Sequence, residues 1–125
     1  MTENELSNIV IGEAIKVHSK LSPGLLESVY QACFVYKLIK TGFLIESQKP
    51  IPLVYEEVKL ECGFRCDIVV ENKLIIEIKA VEALNDIHLA QVLTYLKLTK
   101  VKLGLLMNFN VIRLKYGIKR VVNDL

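Results

Sequence analysis

The chain has 125 residues, 52% of them hydrophobic, and a formal net charge of +2. That length fits one domain, residues 1–125, with a real core, and the few Pro and Gly residues exclude a disordered or fibrous chain. The net charge is mild but uneven: from Lys97 onward seven basic residues (Lys97, Lys100, Lys102, Arg113, Lys115, Lys119, Arg120) face one acid, Asp124. Such a skew could neutralise phosphates, or it could simply solvate strand edges and helix ends.

The opening "MTENELSNIV" lacks a basic segment followed by an apolar one, so no signal peptide is expected. It reads instead as a helix start: Thr2 and Glu5 form a capping-box pattern. Leu6, Ile9, Val10, Ala14, Val17 and Leu21 then recur at helical spacing. "SPG" at 22–24 ends this helix. A second begins near Leu25, with Leu26, Val29, Tyr30, Cys33, Phe34 and Leu38 on its apolar face and Gly42 as its stop. The segment 43–64 reads as one or two strands, with Pro50 and Pro52 marking an edge or a bulge. "RCDIVV" and "LIIEIKA" flank "ENK" as a hairpin. A third helix spans about Asn85 to Thr99, "KLGLLMNF" is a buried strand, and "GIKRVV" is a more exposed one. The order predicts an α/β domain, bordering on α+β, with a mixed sheet. No apolar run approaches the roughly 18 residues of a spanning helix, so no membrane contact is expected. Three cysteines point to a reducing cytoplasm and free buried thiols. Cys62 and Cys66 lack the further ligands of a zinc site.

Alternation along the hairpin places Phe64, Cys66, Ile68 and Val70 on one face of its first strand, with Arg65, Asp67 and Val69 on the other. On the second strand Leu74, Ile76, Ile78 and Ala80 oppose Ile75, Glu77 and Lys79. A three-residue loop sets Asp67 across from Glu77, whereas a two-residue loop sets it across from Ile76. The register in which the acids converge is the one expected here. Converging carboxylates repel unless a cation lies between them, and Mg²⁺ typically takes one or two carboxylates plus waters. Lys79, one pleat on, could orient a water or offset charge on a phosphate. The alternative is a salt-bridged, solvated sheet face.

Asp67 followed by Glu77-Ile78-Lys79 resembles the PD-(D/E)XK nuclease superfamily, and "GLLESVY", with Gly24, Glu27 and Tyr30, resembles its GxxExxY family. The similarity runs in order through "IKVHSKLSPGLLESVYQ", "IIEIKAVEALNDIHLAQVLTYLK", "LGLLMNF" and "GIKRVV". The superfamily's Pro is replaced by Cys66, a position that varies within it. The resemblance implies a restriction-endonuclease-like core and Mg²⁺-dependent hydrolysis of phosphodiester bonds, with Mn²⁺ able to substitute. Asp67 and Glu77 would then be metal ligands, Glu27 a third carboxylate from the second helix, and Lys79 catalytic. Gln91 matches a characteristic Gln of the third helix and would act on the phosphate or a water. His88, Gln91 and Tyr95 form a polar stripe at i, i+3 and i+7, and His88 and Tyr95 join Tyr30 and His18 as candidate substrate contacts.

The implied partner is nucleic acid, DNA ahead of RNA, held by the basic C-terminal third without base reading. A homodimer would lengthen an otherwise shallow cleft. Two rival readings keep the fold without the chemistry: a salt-sensitive nucleic-acid-binding module, and a protein-interaction component that associates through "LGLLMNF" and "VIRL".

Overall fold

Thr2 accepts the backbone N–H of Glu5 while the Glu5 carboxylate accepts that of Thr2, and this capping box opens helix α1, Glu3–Leu21. Helix α2, Glu27–Ile39, starts two residues later than the sequence suggests, after Leu26 as an N-cap without a side-chain bond. The computed structural model describes residues 1–61 and 63–125; Cys62 lies outside the described residues, and Cys33 and Cys66 are free thiols.

The segment after α2 makes three strands rather than one or two: β1, Ile45–Pro50, β2, Leu53–Tyr55, and β3, Val58–Leu60. Strands β4, Arg65–Val70, and β5, Leu74–Lys79, form the expected hairpin. Helix α3, Asp86–Thr99, is capped by Asn85 and His88. Strand β6, Leu103–Asn108, is wholly buried, and β7, Ile118–Val122, is the more exposed last strand. "VIRL" is no strand; it leads into a short 3₁₀ turn at Leu114–Tyr116. With β6 buried in the sheet and "VIRL" leading into that turn, the two are not the pair of contact strands that the protein-interaction reading took them for.

The main sheet has the order β1-β4-β5-β6-β7, with β2 and β3 forming a separate hairpin. Only β5 and β6 run parallel, joined through α3. This is an α/β restriction-endonuclease-like fold. Helices α1 and α2 cover one face, where Leu6, Val10, Tyr30 and Phe34 pack on Ile68, Val70, Ile76 and Ile78. Helix α3 covers the other, where Val92, Tyr95 and Leu96 pack on Cys66, Val69, Ile75 and Leu106. A Cβ on Gly104 would lie 2.7 Å from Val92 Cγ1, so glycine there lets α3 seat close to β6. No helix among the described residues is long and apolar enough to cross a membrane.

The expected faces of β4 are corrected. Ile68 and Val70 pack under α1 and α2, but Cys66 and Phe64 pack with Val69 under α3. Strict alternation would keep all the even-numbered residues together, so the strand inverts at Asp67. Strand β1 inverts too, with Ile45 on the first face and Ile51 on the second. The pairs run Ser47↔Ile68 and Lys49↔Cys66 on either side of the inversion, in unbroken register, and the rung between them, Gln48 with Asp67, is unpaired. Gln48 has φ 51°, a left-handed conformation rare outside Gly, Asn and Asp. The two strands turn over together at one rung, with no inserted residue.

Candidate active site

The β4–β5 loop is Glu71-Asn72-Lys73, and the ladder runs Val70↔Leu74, Val69↔Ile75, Ile68↔Ile76. Glu71 and Asn72 take φ 54° and 53°, the left-handed turn geometry that carries such a loop. One further rung would set Asp67 opposite Glu77. There the strands part, and side chains take over the backbone bonding. The Asp67 N–H donates to Glu77 Oε1 at 3.2 Å, and the Ile78 N–H donates to Asp67 Oδ2 at 2.8 Å. Each acid thus satisfies the other strand's exposed donor, and the two carboxyls are drawn together.

Glutamines on two other elements hold Asp67. Gln48 Nε2 donates to Asp67 Oδ1 at 3.3 Å, and Gln31 Nε2, from α2, donates to the Asp67 carbonyl at 3.2 Å. Sequence reasoning missed both. Gln31 carried a signal, since it stands one helical turn after Glu27 on the same face. Gln48 carried none, because its position follows from the inversion.

Glu77 is 3% exposed. Burial, and then the adjacent Asp67 carboxyl, push its carboxyl up to about 9, with Lys79 opposing weakly. Glu27 is the first residue of α2, at the positive end of the helix. Burial raises its carboxyl as well; Lys79 opposes this, Asp67 adds to it, and the Ala80 N–H and His88 oppose it further. Glu27 therefore lies within electrostatic reach of Lys79, Asp67 and His88. Lys79 is positioned from behind by β6: it pairs with Asn108, and its carbonyl accepts the Phe109 N–H at 2.9 Å. The Asn108 side chain then grips both backbone groups of Val81, at 3.1 Å and 2.9 Å.

On α3, His88 Nδ1 accepts the Asn85 N–H at 3.1 Å, which leaves the proton on Nε2. Gln91 is exposed, and its amide makes no hydrogen bond among the described residues. Tyr95 is buried edge-on against Phe64, with centroids 6.1 Å apart. Burial, then Glu77, Cys66 and Asp67, raise its phenol, and its ring packs in the cluster that holds Cys66. Burial, then Glu77 and Asp67, push the Cys66 thiol up to about 12, which makes it an inert packing group.

Two expected substrate contacts lie elsewhere. Tyr30 is fully buried and stacked on Phe109 at 4.9 Å. Its hydroxyl donates to the Ser22 carbonyl at 2.6 Å and accepts the Leu25 N–H at 3.0 Å, so it braces the loop leading to Glu27. His18 is 5% exposed, and its Nε2–H bridges the carbonyls of Phe109 and Val111 at 3.1 and 2.8 Å. It latches α1 to the loop after β6. Glu13 pairs with Lys16 at 3.4 Å and with Lys37 at 3.9 Å, tying α1 to α2. The expected basic face is spread out: Lys119 and Arg120 occupy the edge strand, whereas Arg113 and Lys115 line a cavity of about 340 Å³ beside α1.

Among the described residues no three His, Cys, Asp or Glu side chains close into a metal cage. The acids form a pair, with Glu27 further out. All the donors are oxygens, and Glu77 accepts the Asp67 N–H through Oε1. That set fits a hard divalent cation that keeps most of its waters.

The family model of the PD-(D/E)XK nuclease superfamily matches residues 4–121. No curated protein and no solved structure matches the chain.

Proposed function

Since this chain belongs to the PD-(D/E)XK nuclease superfamily, we propose that it is a Mg²⁺-dependent nuclease that hydrolyses phosphodiester bonds, of DNA ahead of RNA. The observation that carries this reading is the meeting of Asp67 and Glu77 where the sheet opens, with Glu77 held up to about 9 by burial and by its neighbour. Such a pair is short of a cation. Asp67 and Glu77 would hold that ion, Mg²⁺ or Mn²⁺, with Glu27 reaching it directly or through water. When bound, it supplies a water of lowered pKa and positive charge beside the phosphate. The Lys79 ammonium orients the attacking water and offsets charge on the phosphoryl oxygens. The free amide of Gln91 and the Nε2–H of His88 orient the scissile group, and Tyr95 closes the cleft floor. The finer placement in the GxxExxY group rests on Gly24, Glu27 and Tyr30: here Glu27 serves the site and Tyr30 the loop that presents it.

A second reading has its own support. Each carboxyl already accepts a backbone N–H from the opposite strand, so the pair could be a structural clasp in a fold that binds nucleic acid without cutting it. Calorimetric titration of Mg²⁺ and Mn²⁺ into wild type, Glu77→Ala and Lys79→Ala, with cleavage of DNA and RNA followed in parallel, separates the two. The nuclease reading requires metal binding in wild type that Glu77→Ala loses. It also requires that Lys79→Ala keep the metal but cut at least about 10²-fold more slowly. Absence of metal binding by wild type at millimolar concentration would leave the clasp.

A further inference from the structure

The hairpin of β2 and β3 joins no larger sheet, and a lone two-stranded hairpin is at best marginal in water. Its register, Leu53↔Leu60 and Tyr55↔Val58, puts these four apolar side chains on one face. Towards the turn that face is uncovered, with Tyr55 65% exposed and Val58 57%, while Leu53 at its base is half-buried. Glu56 and Glu57 form the turn. The only cation on the hairpin, Lys59, is engaged by Glu61 at 3.6 Å, so the tip is acidic.

A groove of complementary character lies between the second half of α1 and the body of α2. Its volume is about 470 Å³; Val17, Leu21 and Cys33 are its apolar lining, and the exposed Tyr36 stands at its edge with the Lys40 ammonium 4.6 Å from its ring centroid. Four lysines rim it: Lys16, Lys20, Lys37 and Lys40. Glu13 offsets Lys16 and Lys37, but Lys20 and Lys40 pair with no carboxylate among the described residues. Phosphate backbone would meet the lysines but waste the apolar floor. An apolar arm with an acidic tip satisfies both parts.

The arm and the groove belong to opposite ends of β1. Helix α2 leads from Lys40 into the start of β1, and the hairpin follows its far end at Pro50. A six-residue strand separates them by roughly 17 Å, and within one chain the arm stands exposed. The geometry points to a second copy of this chain as the occupant: the β2–β3 hairpin of each protomer seats in the α1–α2 groove of the other. Reciprocal seating about a two-fold axis closes the assembly and makes every contact twice.

Sedimentation velocity on the full chain across a concentration series tests this by charge reversal. Wild type should associate to twice the monomer mass. Glu56→Lys with Glu57→Lys, and separately Lys20→Glu with Lys40→Glu, should each weaken association at least tenfold and sediment as monomers with unchanged circular dichroism. Mixing the two variants should restore the dimer, because the reversed arm of one fits the reversed groove of the other and the two native surfaces also meet. A wild type that stays monomeric throughout, or a mixture that stays monomeric, overturns the proposal. So does a groove variant that loses retention of a short double-stranded DNA while its mass matches wild type, since the lysines would then serve a nucleic-acid backbone.

Discussion

The two halves of β4 obey different rules. From Ile68 to Val70 every rung to β5 is paired and alternation holds, because each residue has an apolar neighbour to meet on its own face. From Arg65 to Asp67 the faces are inverted, the rung to β1 is open at Asp67, and carboxyls replace backbone carbonyls as acceptors for the Asp67 and Ile78 N–H groups. The regular half is stabilised by burial and backbone pairing. The irregular half opens the sheet and draws two acids together, at a cost in strain and desolvation that the regular half supports.

The sharpest way to break the contrast is at Asp67. In Asp67→Asn the amide oxygen can still accept the Ile78 N–H, whereas Asp67→Ala orphans a buried donor. Urea denaturation should place Asp67→Ala about 1–3 kcal/mol below Asp67→Asn, while calorimetry shows metal binding lost in both. Equal stability of the two variants would mean that the Ile78 bond contributes nothing.

Glu77 offers a subtler separation. Its carboxyl releases its proton near 4.5 when unfolded but near 9 when folded. Between those values the folded state keeps a proton that the unfolded state has lost, so stability falls as pH rises through that window. The slope approaches about 1.4 kcal/mol per pH unit without metal. Glu77→Gln should flatten it and be more stable than wild type at pH 8, and saturating Mg²⁺ should flatten it in wild type. Melting temperatures from pH 5 to pH 9, with and without Mg²⁺, check both. A flat metal-free wild-type profile would place Glu77 in a wetter setting.

The regular parts were legible from the residues because their causes are local. Thr2 and Glu5 signal a cap, "ENK" a hairpin, and Leu89, Val92 and Leu96 a helix face. The meeting of the acids was legible only in part, since register follows from loop length and the residues alone admitted a two-residue loop as well as the three-residue loop that forms. What could not be read depends on residues far apart in the chain. His18 is fixed by carbonyls 91 and 93 positions away. Tyr30 serves Ser22 and Leu25 only because the loop folds back over α2. The misassigned face of Cys66 has the same origin: a period-of-two pattern assumes an unbroken strand, and nothing in "ESQKP" announces a left-handed Gln48.

Gln48 is therefore the place to test whether the inversion carries a cost. Gln48→Gly relieves the left-handed backbone and should gain about 0.5–1 kcal/mol, less whatever the 3.3 Å bond to Asp67 contributes. Gln48→Ala keeps the strain and loses the bond, so it should fall below wild type by up to about 1 kcal/mol. The gap between the two variants measures the strain less the extra unfolded-state freedom of glycine, because both lack the amide. If chemical denaturation finds no gap, the strain at this rung is no greater than that freedom, and the sheet opens because the acids pull it apart rather than because Gln48 is forced to turn.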